Sequence, residues 1–193
     1  MTSDQLHDAE PAAPAMFPDA VGRQKGYEKR AVDAFLAGAR AAFEGGTGSE
    51  VTSATVREAT FPIVKHGYSI VAVDAAMGRI EDAFAARERE DGIADVGVEG
   101  WVERARGSAQ EILDRLGRPD GRRFDRAGGL RYGYRIDEVD LVARKLIGYF
   151  ERGEPVTADQ VRQAAFRMQR RGYREEQVDA LLDAVVEVML AVG

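Results

Sequence analysis

Glycine, tyrosine, four variable residues, valine and aspartate recur four times along this chain. They read GYEKRAVD at 26–33, GYSIVAVD at 67–74, GYRIDEVD at 133–140 and GYREEQVD at 172–179. A motif kept while nearly everything between its copies drifts marks a structural unit that cannot bury its apolar face alone. The copies are of two kinds. Residues 51–84 align with 156–189 at a fixed offset of 105, matching Val56-Arg57 with Val161-Arg162, Ala59 with Ala164 and Phe61 with Phe166. Phe17 and Phe124, at an offset of 107, each stand ten residues before their tyrosine. The chain therefore reads as a duplicated pair. Residues 1–15 form a disordered tail, 16–90 a first pair of units, 91–120 a linker opening on a loop at Asp91-Gly92, and 121–193 a second pair.

Each motif opens a helix. Stepping from its valine by four, three and four residues gives Val32, Leu36, Ala39, Phe43; Val73, Met77, Ile80, Phe84; Val139, Ala143, Leu146, Phe150; and Val178, Leu182, Val185, Met189. All are apolar, the seam of a helix lying along another helix. The linker carries one more stripe from Trp101 to Leu116, with Trp101 as its packing anchor. No strand pattern stands out. The sequence predicts an all-α bundle of four units, each a short helix, a glycine corner and a longer helix.

The motif has a local rationale. With the residue after tyrosine as N-cap, tyrosine is N′ and valine N4, the two halves of a hydrophobic staple. Glycine is expected as the left-handed C′ residue of the preceding short helix. In the fourth unit Thr157 and Gln160 form a capping box, and that short helix is expected to run to about Arg171. Ser69 and Glu28 suit a helix start, whereas Arg135 and Arg174 do not. Asp33, Asp74, Asp140 and Asp179 are expected to accept hydrogen bonds from the corner or to pair with its cations. Phe17, Phe61, Phe124 and Phe166 read as core.

Composition narrows the function classes. There is no cysteine, and a net charge of −6 disfavours general nucleic-acid binding. MTSDQLHDAEPAAPA lacks the charge and apolar run of a signal peptide, and no later stretch reaches a membrane span. A cytoplasmic protein is expected. Two histidines, His7 and His66, far apart in sequence, offer no catalytic or metal constellation. The sequence points to no enzyme, no cofactor and no metal.

At GRQKGYEKRAVDAFL, residues 22–36, the chain resembles the signature of the DivIVA N-terminal domain, closely in the first unit and partially in the other three. The resemblance implies a non-enzymatic adaptor or scaffold of bacterial cell division or polar growth, peripheral to the inner membrane at septum or poles. It also implies lipid contact by the loop before GY, through an exposed apolar residue and basic neighbours. The long C-terminal coiled coil of that family is missing. The family's apolar position, two residues before the glycine, holds Gln24, Lys65, Arg131 and Arg170. Cations persist at the corners: Arg23, Lys25, Lys65, His66, Arg131, Arg170 and Arg171 are the candidate lipid or partner contacts. The motif residues Gly26, Tyr27, Val32, Asp33, Gly67, Tyr68, Val73, Asp74, Gly133, Tyr134, Val139, Asp140, Gly172, Tyr173, Val178 and Asp179 are the structural framework. Expected partners are division or polar-growth proteins and anionic membrane lipid, with no nucleic acid. Homo-oligomers are allowed, but each A–B pair is expected to mimic a dimer inside one chain. The alternative is a soluble helical protein–protein interaction module without lipid binding.

Overall fold

The computed structural model describes residues 16–45 and 51–192, so the tail expected over 1–15 lies outside the described residues. The chain forms two compact units, one up to Glu81 and one from Asp82. The elements are β1 Lys25–Tyr27, α1 Lys29–Phe43, α2 Ser53–Arg57, β2 Ile63–Lys65, α3 Ile70–Leu116, β3 Tyr132–Tyr134, α4 Ile136–Arg152, α5 Ala158–Arg162, β4 Met168–Arg170 and α6 Glu175–Val192. The protein is mostly helical, with two small antiparallel sheets.

In the first unit β1 pairs with β2, setting Lys25 opposite Lys65, Gly26 opposite Val64 and Tyr27 opposite Ile63. Val32, Leu36, Tyr68 and Val73 are buried, with Phe17, Phe35, Phe61, Met77 and Ile80 packed on them. In the second unit β3 pairs with β4, setting Tyr132 opposite Arg170 and Tyr134 opposite Met168. One cluster there holds Phe124, Val139, Tyr173 and Val178. A larger one joins α3, α4, α5 and α6 through Ile112, Leu116, Leu146, Val161 and Val185.

The helices begin where the staple requires. Tyr27 precedes the N-cap Glu28 and Val32 is the fourth helical residue, fully buried; Val139 stands in the same place in α4. Glu28 accepts hydrogen bonds from the Arg30 and Ala31 amides, while Arg135 makes no side-chain cap, in line with their chemistry. Of the sixteen seam positions only Phe43 is exposed. Each fully buried valine or leucine of the seam contributes about 1.5–3 kcal/mol.

Four expectations are corrected. A short helix precedes the glycine corner only in the second and fourth units, as α2 and α5; ahead of β1 and β3 the described residues 16–24 and 117–131 form turns and bends instead. The fold is not purely helical, because the residues around each GY are extended and pair across the corner. Strands of three residues span too little of a period-two pattern to be seen in a sequence. The helix capped by Thr157 keeps its capping box with Gln160 but ends at Arg162, so Gly172 is no helix terminus. And α3 continues through Asp91-Gly92 to a break at Gly97 (φ 75°, ψ 166°), a conformation open to glycine. There the chain doubles back, since the Trp101 ring lies where a Cβ on Gly92 would be, 2.3 Å from its nearest atom. Trp101 is the expected anchor: its indole N–H also donates to the Ala191 carbonyl at 2.9 Å.

Candidate functional site: the paired glycine corners

The four GY dipeptides meet two by two. The Tyr27 amide donates to the Tyr68 carbonyl at 3.0 Å and the Tyr68 amide to the Tyr27 carbonyl at 2.9 Å. Tyr134 and Tyr173 exchange the same two bonds, both 2.9 Å. The glycines permit this approach. A Cβ on Gly26 would stand 2.1 Å from the Tyr68 carbonyl oxygen, and one on Gly67 would stand 2.4 Å from that of Tyr27. Gly133 and Gly172 face each other's motif in the same way, at 2.2 and 2.4 Å.

The expected left-handed role of these glycines is therefore corrected. None of the four has positive φ; the left-handed residues are those before two of them, His66 (φ 59°) and Arg171 (φ 56°). What glycine supplies is the absence of a side chain between two crossing backbones.

The rest of the motif crosses over as well. The Tyr68 hydroxyl donates to Asp33 at 3.3 Å, and the Tyr27 hydroxyl bonds to Asp74. The Tyr173 hydroxyl donates to Asp140 at 3.0 Å and that of Tyr134 to Asp179 at 3.4 Å. Each aspartate thus receives the tyrosine of the other motif in its pair, as the acceptor role expected of it requires. The phenylalanines follow: Phe17 packs on Tyr68 and Phe61 on Tyr27, Phe124 on Tyr173 and Phe166 on Tyr134, with centroids 5.1–5.4 Å apart. All four phenylalanines pack in the cores, as their recurrence suggested.

One side of this arrangement differs between the units. In the second, Asp140 also accepts from Arg123 Nη1 at 2.7 Å and from the Gly121 amide at 2.7 Å. Arg123 is itself buried, held further by Asp120 at 2.6 Å and the Leu116 carbonyl at 2.7 Å. At the matching place in the first unit stands Met16, and Asp33 Oδ1 is buried with no partner among the described residues. The Arg123 bond to Asp120 holds the Asp120 carboxyl below its usual range. Sequence reasoning missed Arg123, whose buried partner Asp140 lies 17 residues on, beyond β3, with no spacing signature.

Burial raises the pKa of the tyrosines Tyr27, Tyr68, Tyr134 and Tyr173, and the carboxylates they bond add to the shift. Tyr134 is pushed from 10.0 to about 12, by burial first and then by Asp179. Burial likewise raises Asp74 and Asp179. The native state holds the Tyr134 proton more tightly than the unfolded chain does. Its stabilising contribution is complete below the unfolded value of 10.0 and lost as pH rises toward about 12. The urea midpoint is expected to fall between about pH 9 and pH 11, and the fall to shrink in Tyr134→Phe. An unchanged slope in that variant contradicts the assignment.

The seven candidate cations Arg23, Lys25, Lys65, His66, Arg131, Arg170 and Arg171 are all exposed. Within each unit the sheets bring them together. Lys25 and Lys65 are directly opposed, with His66 next in the chain. Arg131 and Arg171 are joined by a backbone hydrogen bond of 3.1 Å, and Arg170 opposes Tyr132. Among the described residues none of the seven makes an ion pair. Two tight turns beside them carry apolar tips that sequence reasoning missed: Val21, 79% exposed beside Gly22 (φ 64°), and Leu130, 76% exposed beside Gly129 (φ 60°). Tyr132 is exposed as well. In GGLRYGY at 128–134 the apolar residue stands between a glycine pair and an arginine, a pattern that marks a turn but not the direction its side chain takes.

Among the described residues no three His, Cys, Asp or Glu side chains are placed to hold a metal ion, and no helix is long and apolar enough to cross a membrane. Comparison of the chain with protein-family models, curated proteins and solved structures finds no match in any of the three.

Proposed function

We propose that this chain is a non-enzymatic adaptor or scaffold that docks peripherally on anionic membrane through its basic corners. Its place is bacterial cell division or polar growth at the inner membrane, as for the DivIVA-type proteins that its motifs resemble. The finer architecture belongs to the same proposal: four repeated units arranged as a duplicated pair, each pair closing inside one chain where such proteins pair between chains. The matching hydrogen bonds Tyr27–Tyr68 and Tyr134–Tyr173 support it.

One observation carries the membrane reading: at each corner unpaired cations converge beside an exposed apolar turn. Like charges directly opposed on a strand pair, as Lys25 and Lys65 are, destabilise the sheet unless an anion sits between them. His66 and Arg171 hold left-handed backbone, a strain that collects where function requires it. Near an anionic leaflet each Lys or Arg is worth about 1 kcal/mol. Inserting a side chain such as Leu130 adds about 1.5–3 kcal/mol.

Co-sedimentation with vesicles tests this. Binding is expected to anionic but not neutral vesicles and to weaken with salt. It is expected to be lost when Lys25→Glu, Lys65→Glu, Arg131→Glu and Arg171→Glu are combined. Absence of binding at low salt overturns the membrane mechanism and leaves the soluble helical interaction module.

A further inference from the structure

A groove of about 630 Å³ runs between the second half of α3 and α6, wholly inside the second unit. The two helices are antiparallel. Trp101 bonds Ala191 at one end, and at the other Leu116 lies beside Val178 and Leu181. Small residues, Ala105 and Ser108 on α3 and Ala180 and Ala184 on α6, line it between them. Its rims carry opposite charge: Arg104 and Arg115 on α3, Glu176 and Glu187 on α6. Arg104, Arg115 and Glu187 make no ion pair among the described residues. Equal rise along both helices from the Trp101–Ala191 contact sets Arg104 level with Glu187–Val188, and Arg115 level with Glu176–Gln177. Glu111 falls level with Ala180–Leu181, where it meets no charge.

We propose that a second copy of this chain covers the groove, in a two-fold dimer that sets α3 of each copy along α6 of the other. The charges select that geometry. A two-fold axis parallel to the helices brings Arg104 over the other copy's Glu187 and Arg115 over its Glu176, twice by symmetry. An axis across the helices instead opposes Arg104 with Arg115 and Glu176 with Glu187, which repels. The small residues let the backbones of the two copies approach. The aliphatic stems of Arg104 and Arg115 cover the apolar floor while their guanidinium groups reach the acidic rim. Val102 and Val192, both exposed, add apolar contact at the Trp101 end. This interface is independent of the basic corners and leaves each GY pair inside its own chain.

Two variants of the full chain test it, one with Arg104→Glu and Arg115→Glu, the other with Glu176→Arg and Glu187→Arg. The unaltered chain is expected to sediment at twice its 21.1 kDa mass as concentration rises. Each variant alone is expected to bind itself at least about tenfold more weakly, because both of its rims then carry one sign. Mixed in equal amounts the two are expected to form a heterodimer, since every opposed pair is complementary again. Arg104, Glu176 and Glu187 are exposed, Arg115 is half-buried with its guanidinium 6.0 Å from the centre of the Phe124 ring, and far-ultraviolet dichroism checks that both variants fold. An unaltered chain still monomeric at about 1 mM overturns the proposal. So do variants that dimerise as well as the parent, or a mixture that stays monomeric.

Discussion

Gly172→Ala is expected to unfold the second unit under conditions in which the parent is native. The added methyl would stand 2.4 Å from the carbonyl oxygens of both Gly133 and Tyr134, and those atoms are backbone held by reciprocal hydrogen bonds. No side chain can swing away to make room, so the crossing must separate and give up the Tyr134–Tyr173 bonds with it. The expected loss is at least about 3 kcal/mol, in the tail of single substitutions. Gly38→Ala is the informative contrast. Gly38 lies exposed within α1, without positive φ and with nothing within 4 Å of the added atom. Helix propensity then predicts stabilisation by about 0.5–1 kcal/mol. Urea denaturation followed by circular dichroism measures both. Equal effects of the two substitutions contradict the crossing.

Asp140→Ala is expected to cost about 3–5 kcal/mol, because it strands the buried Arg123 guanidinium. Asp140 accepts from Arg123, from the Tyr173 hydroxyl and from the Gly121 amide, and its side chain is 5% exposed. Arg123→Met is expected to cost less, since Asp140 keeps two of its donors and the methionine fills much of the volume. The pair Asp140→Leu with Arg123→Met is expected to recover most of the loss from Asp140→Ala, as apolar replacement of a buried ion pair often does. Thermal denaturation of the three variants measures this. A double variant as unstable as Asp140→Ala would show that the Tyr173 and Gly121 bonds, not the ion pair, dominate.

Sequence patterns exposed the features whose causes are local. Helix starts at Lys29, Ile136 and Glu175 follow from the Tyr–Val staple, and the Thr157–Gln160 box from its spacing. Burial of the seam follows from the 4-3-4 step. The two sheets were hidden because their cause is a contact between backbones far apart in sequence. Gly26 and Gly67 carry no local trace of each other, and a glycine before a helix reads equally well as a terminus. That the glycines, tyrosines and aspartates belong to one crossed device became legible only with the hydrogen bonds from Tyr68 to Asp33 and from Tyr173 to Asp140. At the corners the cations were legible, because charge needs no partner to be noticed. The apolar tips Val21 and Leu130 were not, since an isolated apolar residue in a turn gives no sign of whether it faces in or out.

A fluorescent label at position 130 tests the central claim most directly. The chain contains no cysteine, so Leu130→Cys accepts a single environment-sensitive dye at the tip of the second corner. A control label at Glu151, exposed near the end of α4, reports any change that is not specific to the corner. With anionic vesicles the dye at 130 is expected to shift to the blue and brighten while the dye at 151 stays unchanged. Neutral vesicles should leave both as they are in buffer. A dye at 130 that remains in water when the protein sediments with anionic vesicles would contradict insertion at the corner.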